Sequence, residues 1–250
     1  MPSLSNSQID RLGQRLCNGG QPAAADLFLL EELLAEYAGA LQVTEERLRT
    51  LGLVPHGRLK TSGTLRDKLQ REKVTLRGIR DLAGTRIVKR MNLAQQDALC
   101  DQICGLFDDP KVIDRRTAPM HGYRAVHIVP KVGGKRVEIQ VRTLWQDTWA
   151  QMFEALADSV GRQIRYGQPP ATPDAPAGST TRAGLVQSLL DLSATIPTYE
   201  DLEDITTKAA NLQLKNSAQL LKAKELLDGF RETMNQTRAN LGLPDLPPDV

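Results

Sequence analysis

The polar side chains of one hairpin are the residues of this sequence with the clearest capacity for chemistry. Residues 122–143 read GYRAVHIVPKVGGKRVEIQVRT, which predicts two β-strands joined by a Gly-Gly turn. One face combines an aromatic ring, an imidazole, a carboxylate, an amide and a guanidinium, supplied by Tyr123, His127, Glu138, Gln140 and Arg142. This mixture can bind and orient a polar ligand. A polar outer face is also normal for a half-buried sheet, so the pattern alone leaves both interpretations open.

The turn determines which of these side chains share a face. If Gly133 and Gly134 form a two-residue turn, Val132 lies opposite Lys135 and every later pair follows. Directly opposed residues point to the same side of a sheet, so the aliphatic pairs face one side and the polar residues the other. We therefore expect His127, Glu138, Gln140 and Arg142 to converge on one surface, with Tyr123 just before it.

A strongly basic block precedes the hairpin. Residues 58–90 hold eleven Lys and Arg against three acids, a net charge of +8, whereas residues 1–57 carry −3 and the whole chain +2. Such a block is typical of proteins that bind a phosphate chain or a nucleic acid. The alternative is a solvated helix face, and charge alone does not separate the two.

Composition argues against a membrane protein and against a disulfide-bonded one. The 250 residues are 40% hydrophobic and 25% charged, which is ordinary for a globular chain. No stretch approaches the roughly 18 apolar residues of a membrane span, and the first twenty residues lack the pattern of a secretory signal. Cys100 and Cys104 lie four apart in a helical stretch, and we interpret them as core residues rather than a metal-ligand pair. We expect a reducing, cytoplasmic setting.

The periodicity of apolar residues predicts the elements that position these groups. Helices are expected over 24–38 and from Thr44 to Gly52, with Thr44 as an N-cap. Thr64 is expected to cap the helix after the basic loop, and Leu65 and Leu69 to form its buried stripe. The full order is α, α, β, α, β, β-hairpin, α. This order predicts an α/β fold, with a small mixed, mostly antiparallel sheet flanked by helices.

The same patterns suggest domain boundaries. We assign residues 1–57 to N-terminal helices that pack on a core of residues 58–167. Residues 168–183, rich in proline, are expected to form a linker. Residues 184–250 are then a helical C-terminal extension, with a break at Pro197.

Five short motifs occur in an order that resembles a known family. They are RLKTSGTLRDKL (58–69), IRDLAGTRIV (79–88), GYRAVH (122–127), VEIQVRT (137–143) and WAQ (149–151). Together they resemble the synthetase domain of the RelA/SpoT family, the (p)ppGpp alarmone synthetases of the stringent response. The resemblance covers about residues 40–167 and is that of a small, single-domain member with a nucleotidyltransferase-like synthetase fold. It implies transfer of the β,γ-diphosphate of ATP to the 3′-hydroxyl of an acceptor nucleotide, GDP or GTP, with release of AMP.

The resemblance also implies roles for individual residues. The basic loop and helix would bind the ATP phosphates through Arg58, Lys60, Lys68, Arg71 and Arg86. Asp81 and Glu138 would be the catalytic carboxylates and the ligands of Mg²⁺, which needs only one or two carboxylates besides phosphate oxygens and water. Glu138 would also serve the acceptor hydroxyl. Tyr123 would stack on the acceptor base, and His127, Gln140 and Arg142 would line the acceptor side.

Some alternatives stay open at this stage. Asp81 can cap a turn, His127 can be a satisfied sheet histidine, and Gly122 can be required for backbone conformation alone. His121 stands where many members of the family have Asn, and several stretches resemble toxin-type synthetases. Some of those transfer the diphosphate to the 3′ end of tRNA or make adenosine alarmones, and are restrained by antitoxins. A homo-oligomer, an antitoxin partner and a non-catalytic RNA- or nucleotide-binding module are further interpretations that the sequence does not separate.

Overall fold

The structure is a computed structural model, and the residues that it describes form two compact units. The described ranges are 4–17, 21–72, 74–79, 81–171, 181–212 and 218–246, with the backbone alone described at 67, 71 and 72. The first unit comprises residues 1–87, 100–113 and 127–141, and the second comprises 88–99, 114–126 and 142–250. None of the helices in these ranges combines the length and apolar character that crossing a membrane requires.

The described ranges contain seven α-helices and six strands. The helices are α1 Asn6–Cys17, α2 Ala24–Thr50, α3 Ser62–Glu72, α4 Leu93–Cys104, α5 Leu144–Val160, α6 Arg182–Asn211 and α7 Ala218–Asn240. The strands are β1 His56–Leu59, β2 Ala83–Lys89, β3 Lys111–Asp114, β4 Val126–Val129, β5 Lys131–Val132 and β6 Lys135–Thr143. They form one sheet in the order β1-β2-β6-β4-β3, and β5 also pairs with β6. The predicted α/β class, a sheet with flanking helices and a helical C-terminal region, is confirmed.

The first unit holds most of the sheet and a helical core. The leucines of α1, α2 and α3 pack together with those that precede β2, and most of them are inaccessible to solvent. The fully buried members include Leu12, Leu30, Leu65, Leu69 and Leu76. The buried stripe predicted at Leu65 and Leu69 is therefore confirmed.

The second unit is built around α5. Its two tryptophans, Trp145 and Trp149, are each 1% exposed and pack with apolar residues of α6 and α7. The first turn of α5 is held by a capping box, in which the Thr143 hydroxyl accepts from the Gln146 N–H and the Gln146 side chain accepts from the Thr143 N–H. This cap ends β6 and starts α5 without an intervening loop.

The predicted Gly-Gly turn is confirmed together with its register. Gly133 and Gly134 have φ values of 55° and 77°, the left-handed pair that a type I′ hairpin turn requires. Val132 pairs with Lys135 and Lys131 with Arg136. The Val137 N–H then donates to the Pro130 carbonyl at 3.2 Å, which continues the predicted register one step further.

Two predicted helix starts are wrong. Residues 24–50 form one continuous helix, because the Thr44 hydroxyl donates to the Ala40 carbonyl inside the helix instead of capping a new one. At α3 the capping threonine is Thr61 rather than Thr64, since the Thr64 N–H points to the Thr61 hydroxyl at 3.4 Å. Serine and threonine hydroxyls serve both roles, and the tertiary environment selects between them.

The predicted break at Pro197 is also wrong, because α6 runs through the proline. Of the predicted linker at 168–183, residues 172–180 lie outside the described ranges, and helix α6 already begins at Arg182. The predicted helical stretch after the proline likewise includes 213–217, outside those ranges. The boundaries proposed at 57, 167 and 183 stay predictions.

Candidate active site

A row of residues crosses three neighbouring strands of the first unit. Arg58 on β1 lies directly opposite Gly84 on β2, so both face the same side of the sheet. A Cβ atom built on Gly84 would lie 3.8 Å from the Cβ of Glu138 on β6 and 3.2 Å from its carbonyl oxygen. Arg86, two residues beyond Gly84, shares this face, while Ala83, Thr85 and Ile87 are buried on the other. This face thus carries positive groups and a carboxylate around Gly84, which leaves a gap because it has no side chain.

Asp81 is held between two lysines at one end of this row. Lys60 extends the β1–β2 ladder, since its N–H donates to the Leu82 carbonyl at 3.0 Å, and this places its side chain beside Asp81. The Lys60 Nζ lies 3.0 Å from Asp81 Oδ2, and the Lys68 Nζ on α3 lies 2.8 Å from Oδ1. Burial acts to raise the pKa of this carboxyl, but the hydrogen bond from Lys68 and the charge of Lys60 outweigh it. The pKa of Asp81 therefore lies below its ordinary value, and the side chain is ionised.

Glu138 forms the second carboxylate centre. The His127 Nδ1 lies 2.9 Å from Glu138 Oε1, and the Gln140 amide donates to Oε2 at 2.8 Å. Burial and, to a smaller extent, the negative charge of Asp81 act to raise the pKa of Glu138. The hydrogen bonds from His127 and Gln140 and the charge of His127 lower it by more. The net pKa is lowered, so Glu138 is also ionised. His127 and Gln140, which were predicted to share a face with Glu138, thus both contact it directly.

The two carboxylates interact electrostatically, because the charge of Asp81 acts on the pKa of Glu138. In the described ranges, no group of three or more His, Cys, Asp or Glu side chains is arranged to hold a metal ion. Mg²⁺ does not need such a group, since it retains water and takes phosphate oxygens as ligands. Two ionised carboxylates close enough to influence each other fit that requirement. Asp81 and Glu138 could hold such an ion.

Arg86 and Arg71 are two further predicted ATP contacts, and the structure describes the side chain of Arg86 but not that of Arg71. Arg86 lies opposite His56 in the β1–β2 ladder, on the same face as Gly84. Arg71 belongs to α3, but its side chain lies outside the described part of the structure. Its predicted contact with ATP stays a prediction.

Tyr123 and Arg142 come together in the second unit. An Arg142 Nη2–H donates to the Tyr123 hydroxyl at 3.0 Å, and the guanidinium carbon lies 5.0 Å from the centre of the Tyr123 ring. Arg142 also donates to Asp147 at 2.9 Å and is 7% exposed. Burial acts to lower the pKa of Arg142, but Tyr123 and Asp147 raise it by more, so the guanidinium stays charged. Arg142 thus supports the tyrosine from one side.

The backbone before Tyr123 has an unusual conformation. Gly122 has φ = 83°, and a Cβ at this position would lie 2.5 Å from the Trp149 ring. Glycine is therefore required both by the dihedral angle and by the close approach of the tryptophan. His121, in place of the family's Asn, has φ = 51°, a conformation in which asparagine and histidine are both enriched.

The structure adds two residues that the sequence analysis missed. Gly84 creates the gap in the polar row, and an isolated glycine in a β-branched strand was the available signal. Asp147 anchors Arg142 from the first turn of α5, and no local pattern distinguishes it from an ordinary helix-start acid.

Comparison with known proteins identifies the family. The model of the region found in RelA / SpoT proteins matches residues 57–157. An uncharacterized protein of Mycobacterium tuberculosis is 34% identical over 207 residues, covering 80% of this chain and 76% of the relative, and one of Mycobacterium bovis is equally similar. The chain belongs to the RelA/SpoT family. The polar site residues described in this subsection lie within residues 57–157, apart from His56.

Solved structures agree with this assignment at the level of the fold. The small alarmone synthetase 1 from Bacillus subtilis superposes with a TM-score of 0.50 and 18% identity, covering 74% of this chain and 98% of that one. The same synthetase bound to its product pppGpp gives the same values. Family and fold together indicate a nucleotide pyrophosphokinase.

Proposed function

We propose that this RelA/SpoT-family protein transfers the β,γ-diphosphate of ATP to the 3′-hydroxyl of GDP or GTP. The acceptor oxygen attacks the β-phosphorus, the bond from that phosphorus to the α,β-bridging oxygen breaks, and AMP leaves with that oxygen. The observation that carries the proposal is Asp81, an ionised carboxylate between Lys60 and Lys68 and within electrostatic reach of Glu138. Two cations and two carboxylates on one face suit a reaction that depends on charge neutralisation and alignment of a polyphosphate.

The lysines would bind the diphosphate that is transferred. Both contact Asp81 and both are partly exposed, at 22% for Lys60 and 20% for Lys68, so a phosphate oxygen can reach them. Arg58 and Arg86 face the same side of the sheet and add positive charge along the row. The positive charges of these arginines and lysines would reduce the repulsion between the negatively charged phosphate groups of ATP.

The carboxylates would serve the metal and the acceptor hydroxyl. Mg²⁺, when bound, supplies charge that offsets the build-up of negative charge on the phosphate oxygens. Because the pKa of Glu138 is lowered, this side chain is ionised near neutral pH and can accept a hydrogen bond from the 3′-hydroxyl. His127 and Gln140 would hold Glu138 in that orientation, and the hydroxyl proton would leave through Glu138 or a water molecule. We propose that Tyr123 stacks on the acceptor base.

The deciding experiment is a transfer assay with ATP labelled at the γ-phosphate. GDP, GTP, an adenine nucleotide and deacylated tRNA are offered separately in the presence of Mg²⁺, and the labelled products are resolved. Label in a product of GDP or GTP, with AMP released in equal amount, is the expected result. Glu138→Gln is the inactive comparison, and Glu31→Gln, an exposed carboxylate on α2, is the matched control.

The other outcomes of this assay refute the proposal in different ways. Label confined to tRNA would show a toxin-type synthetase, and label confined to the adenine nucleotide would show an adenosine-alarmone synthetase. No transfer to any acceptor, with ATP still bound, would show a binding module on the same fold.

A further inference from the structure

Helix α6 contains a proline in its interior. Proline has no N–H, so the helix lacks the hydrogen bond that residue 197 would donate to the carbonyl four residues earlier, that of Ser193. A buried carbonyl without a donor is costly, and Ser193 is only 1% exposed. The structure supplies another donor, the side chain of Arg124, whose Nε–H lies 3.1 Å from the Ser193 carbonyl oxygen.

Ser193 also binds the residue on the other side of Tyr123. Its hydroxyl donates to the Gly122 carbonyl at 2.5 Å. Arg124 and Gly122 are the two chain neighbours of Tyr123, so a single residue of α6 is bonded to both. The second unit therefore holds the backbone of Tyr123 from helix α6, while Arg142 holds its hydroxyl.

Further contacts fix the same short segment. The Trp149 ring packs against Gly122, and its indole N–H donates to the Leu189 carbonyl of α6 at 2.6 Å. Arg124 donates in addition to the Arg116 carbonyl. These bonds leave residues 122–124 little freedom to move relative to α6.

We propose that Ser193, Pro197 and Arg124 are positioning residues for the acceptor site, because together they fix the ring of Tyr123. The inference rests on the proposed function, in which this ring stacks on the acceptor base. Stacking is strong only when the ring is held in place before the base arrives, since otherwise ordering the ring offsets part of the gain. Pro197 contributes by removing a competing donor from the Ser193 carbonyl, and so a helix-disfavouring residue has a defined purpose here.

Two substitutions test this inference, one by adding a competing donor and the other by removing a hydrogen bond. Pro197→Ala restores the missing N–H, which then competes with Arg124 for the Ser193 carbonyl. Ser193→Ala removes the hydroxyl that binds Gly122. Ser188→Ala is the matched control, because the Ser188 hydroxyl donates to the Gly184 carbonyl of the same helix.

Steady-state kinetics with the acceptor found for the wild type provide the readout. We expect Pro197→Ala and Ser193→Ala each to raise the acceptor KM about fivefold to tenfold, part of the contribution of one stacked base. The KM for ATP and the kcat should stay within twofold, and Ser188→Ala should match the wild type. The melting temperature of Pro197→Ala should not fall, since alanine is the better helix former. An unchanged acceptor KM, or KM values for both substrates that rise in parallel with a falling melting temperature, would overturn the inference.

A double-mutant cycle with Tyr123→Ala tests whether the effect passes through the ring. If Ser193 acts through Tyr123, Ser193→Ala should change the acceptor KM by less than twofold in the Tyr123→Ala background. Additive effects would overturn the positioning role. Calorimetric titration of GDP into the same variants without ATP gives a readout independent of turnover. A wild type that neither binds nor uses a guanine nucleotide would instead refute the proposed function, and this inference with it.

Discussion

The ammonium group of Lys68 lies 2.8 Å from a carboxylate oxygen of Asp81, thirteen residues further along the chain. Lys60 binds the other oxygen of the same carboxylate. Both lysines therefore have a binding partner within the protein before any phosphate arrives. Binding of a diphosphate would exchange these contacts for phosphate contacts and leave the Asp81 oxygens available to a metal ion.

Asp81→Asn tests the metal part of this exchange. The amide removes the negative charge, and we expect kcat/KM to fall by at least about 100-fold, the upper range seen when only a supporting residue of a metal ligand is lost. Raising the Mg²⁺ concentration should restore part of the activity. Asp108→Asn, at an exposed site, is the control. Activity within twofold of the wild type at every Mg²⁺ concentration would contradict the assignment.

Lys68→Met tests the phosphate part. Methionine retains the aliphatic stem of the side chain but loses the ammonium, and charge-assisted hydrogen bonds contribute about 1.5–3 kcal/mol each. We expect the KM for ATP to rise about tenfold or more while the acceptor KM changes little. Lys131→Met removes an exposed charge from β5 and serves as the comparison. Equal increases for both substrates would mean that Lys68 does not act on ATP in particular.

Gly84→Ala probes the gap in the polar row. A Cβ here would lie 3.2 Å from the Glu138 carbonyl oxygen, closer than most Cβ contacts, so β2 and β6 must move apart by a few tenths of an ångström. We expect a loss of about 1–3 kcal/mol in the free energy of unfolding, together with a larger loss of activity than that destabilisation explains. Gly39→Ala in α2, where a Cβ meets nothing within 4 Å, should instead stabilise the protein by about 0.5–1 kcal/mol. Denaturant titration and the transfer assay measure the two effects, and unimpaired activity of Gly84→Ala would show that the gap is not needed.

Glu200→Gln should show that the buried carboxylate of Glu200 lowers the free energy of unfolding, by an amount that depends on pH. Glu200 is 1% exposed and accepts from the Thr143 hydroxyl at 2.6 Å and the Gln146 amide at 2.8 Å. Burial raises the pKa of Glu200 above its ordinary value of 4.5, against the effect of these hydrogen bonds. Between the unfolded and folded pKa values the native state binds more protons, so stability falls as pH rises through that window.

The substitution removes this penalty because glutamine stays neutral and can accept both hydrogen bonds. The free energy of unfolding of Glu200→Gln relative to the wild type should therefore increase from pH 4.5 upward, by about 1.4 kcal/mol for each unit by which the folded pKa is raised. Denaturant titrations at several pH values measure it, with Glu232→Gln on the exposed side of α7 as the control. Parallel stability curves for the wild type and Glu200→Gln would contradict the raised pKa.

Features that depend on neighbouring residues were predictable from the sequence. The Gly133–Gly134 turn follows from the two left-handed dihedral angles that glycine permits, and the register of the hairpin follows from the turn. The leucine stripe of α3 follows from helical periodicity. The motifs that resemble the RelA/SpoT family are likewise short and local, which is why the family was recognisable before the fold was known.

Features that depend on residues distant in sequence were decided by the tertiary structure. Thr44 continues a helix instead of starting one. Pro197 lies within a helix, and Arg124, far away in the sequence, donates to the carbonyl that the proline leaves without a backbone donor. The hairpin pattern placed Glu138, His127 and Gln140 on one face, but only the packed structure showed that His127 and Gln140 both bond to Glu138. The amino-acid types therefore determined which chemistry is available. Long-range hydrogen bonds and burial determined which carboxylates are ionised, which cations hold them and what supports Tyr123.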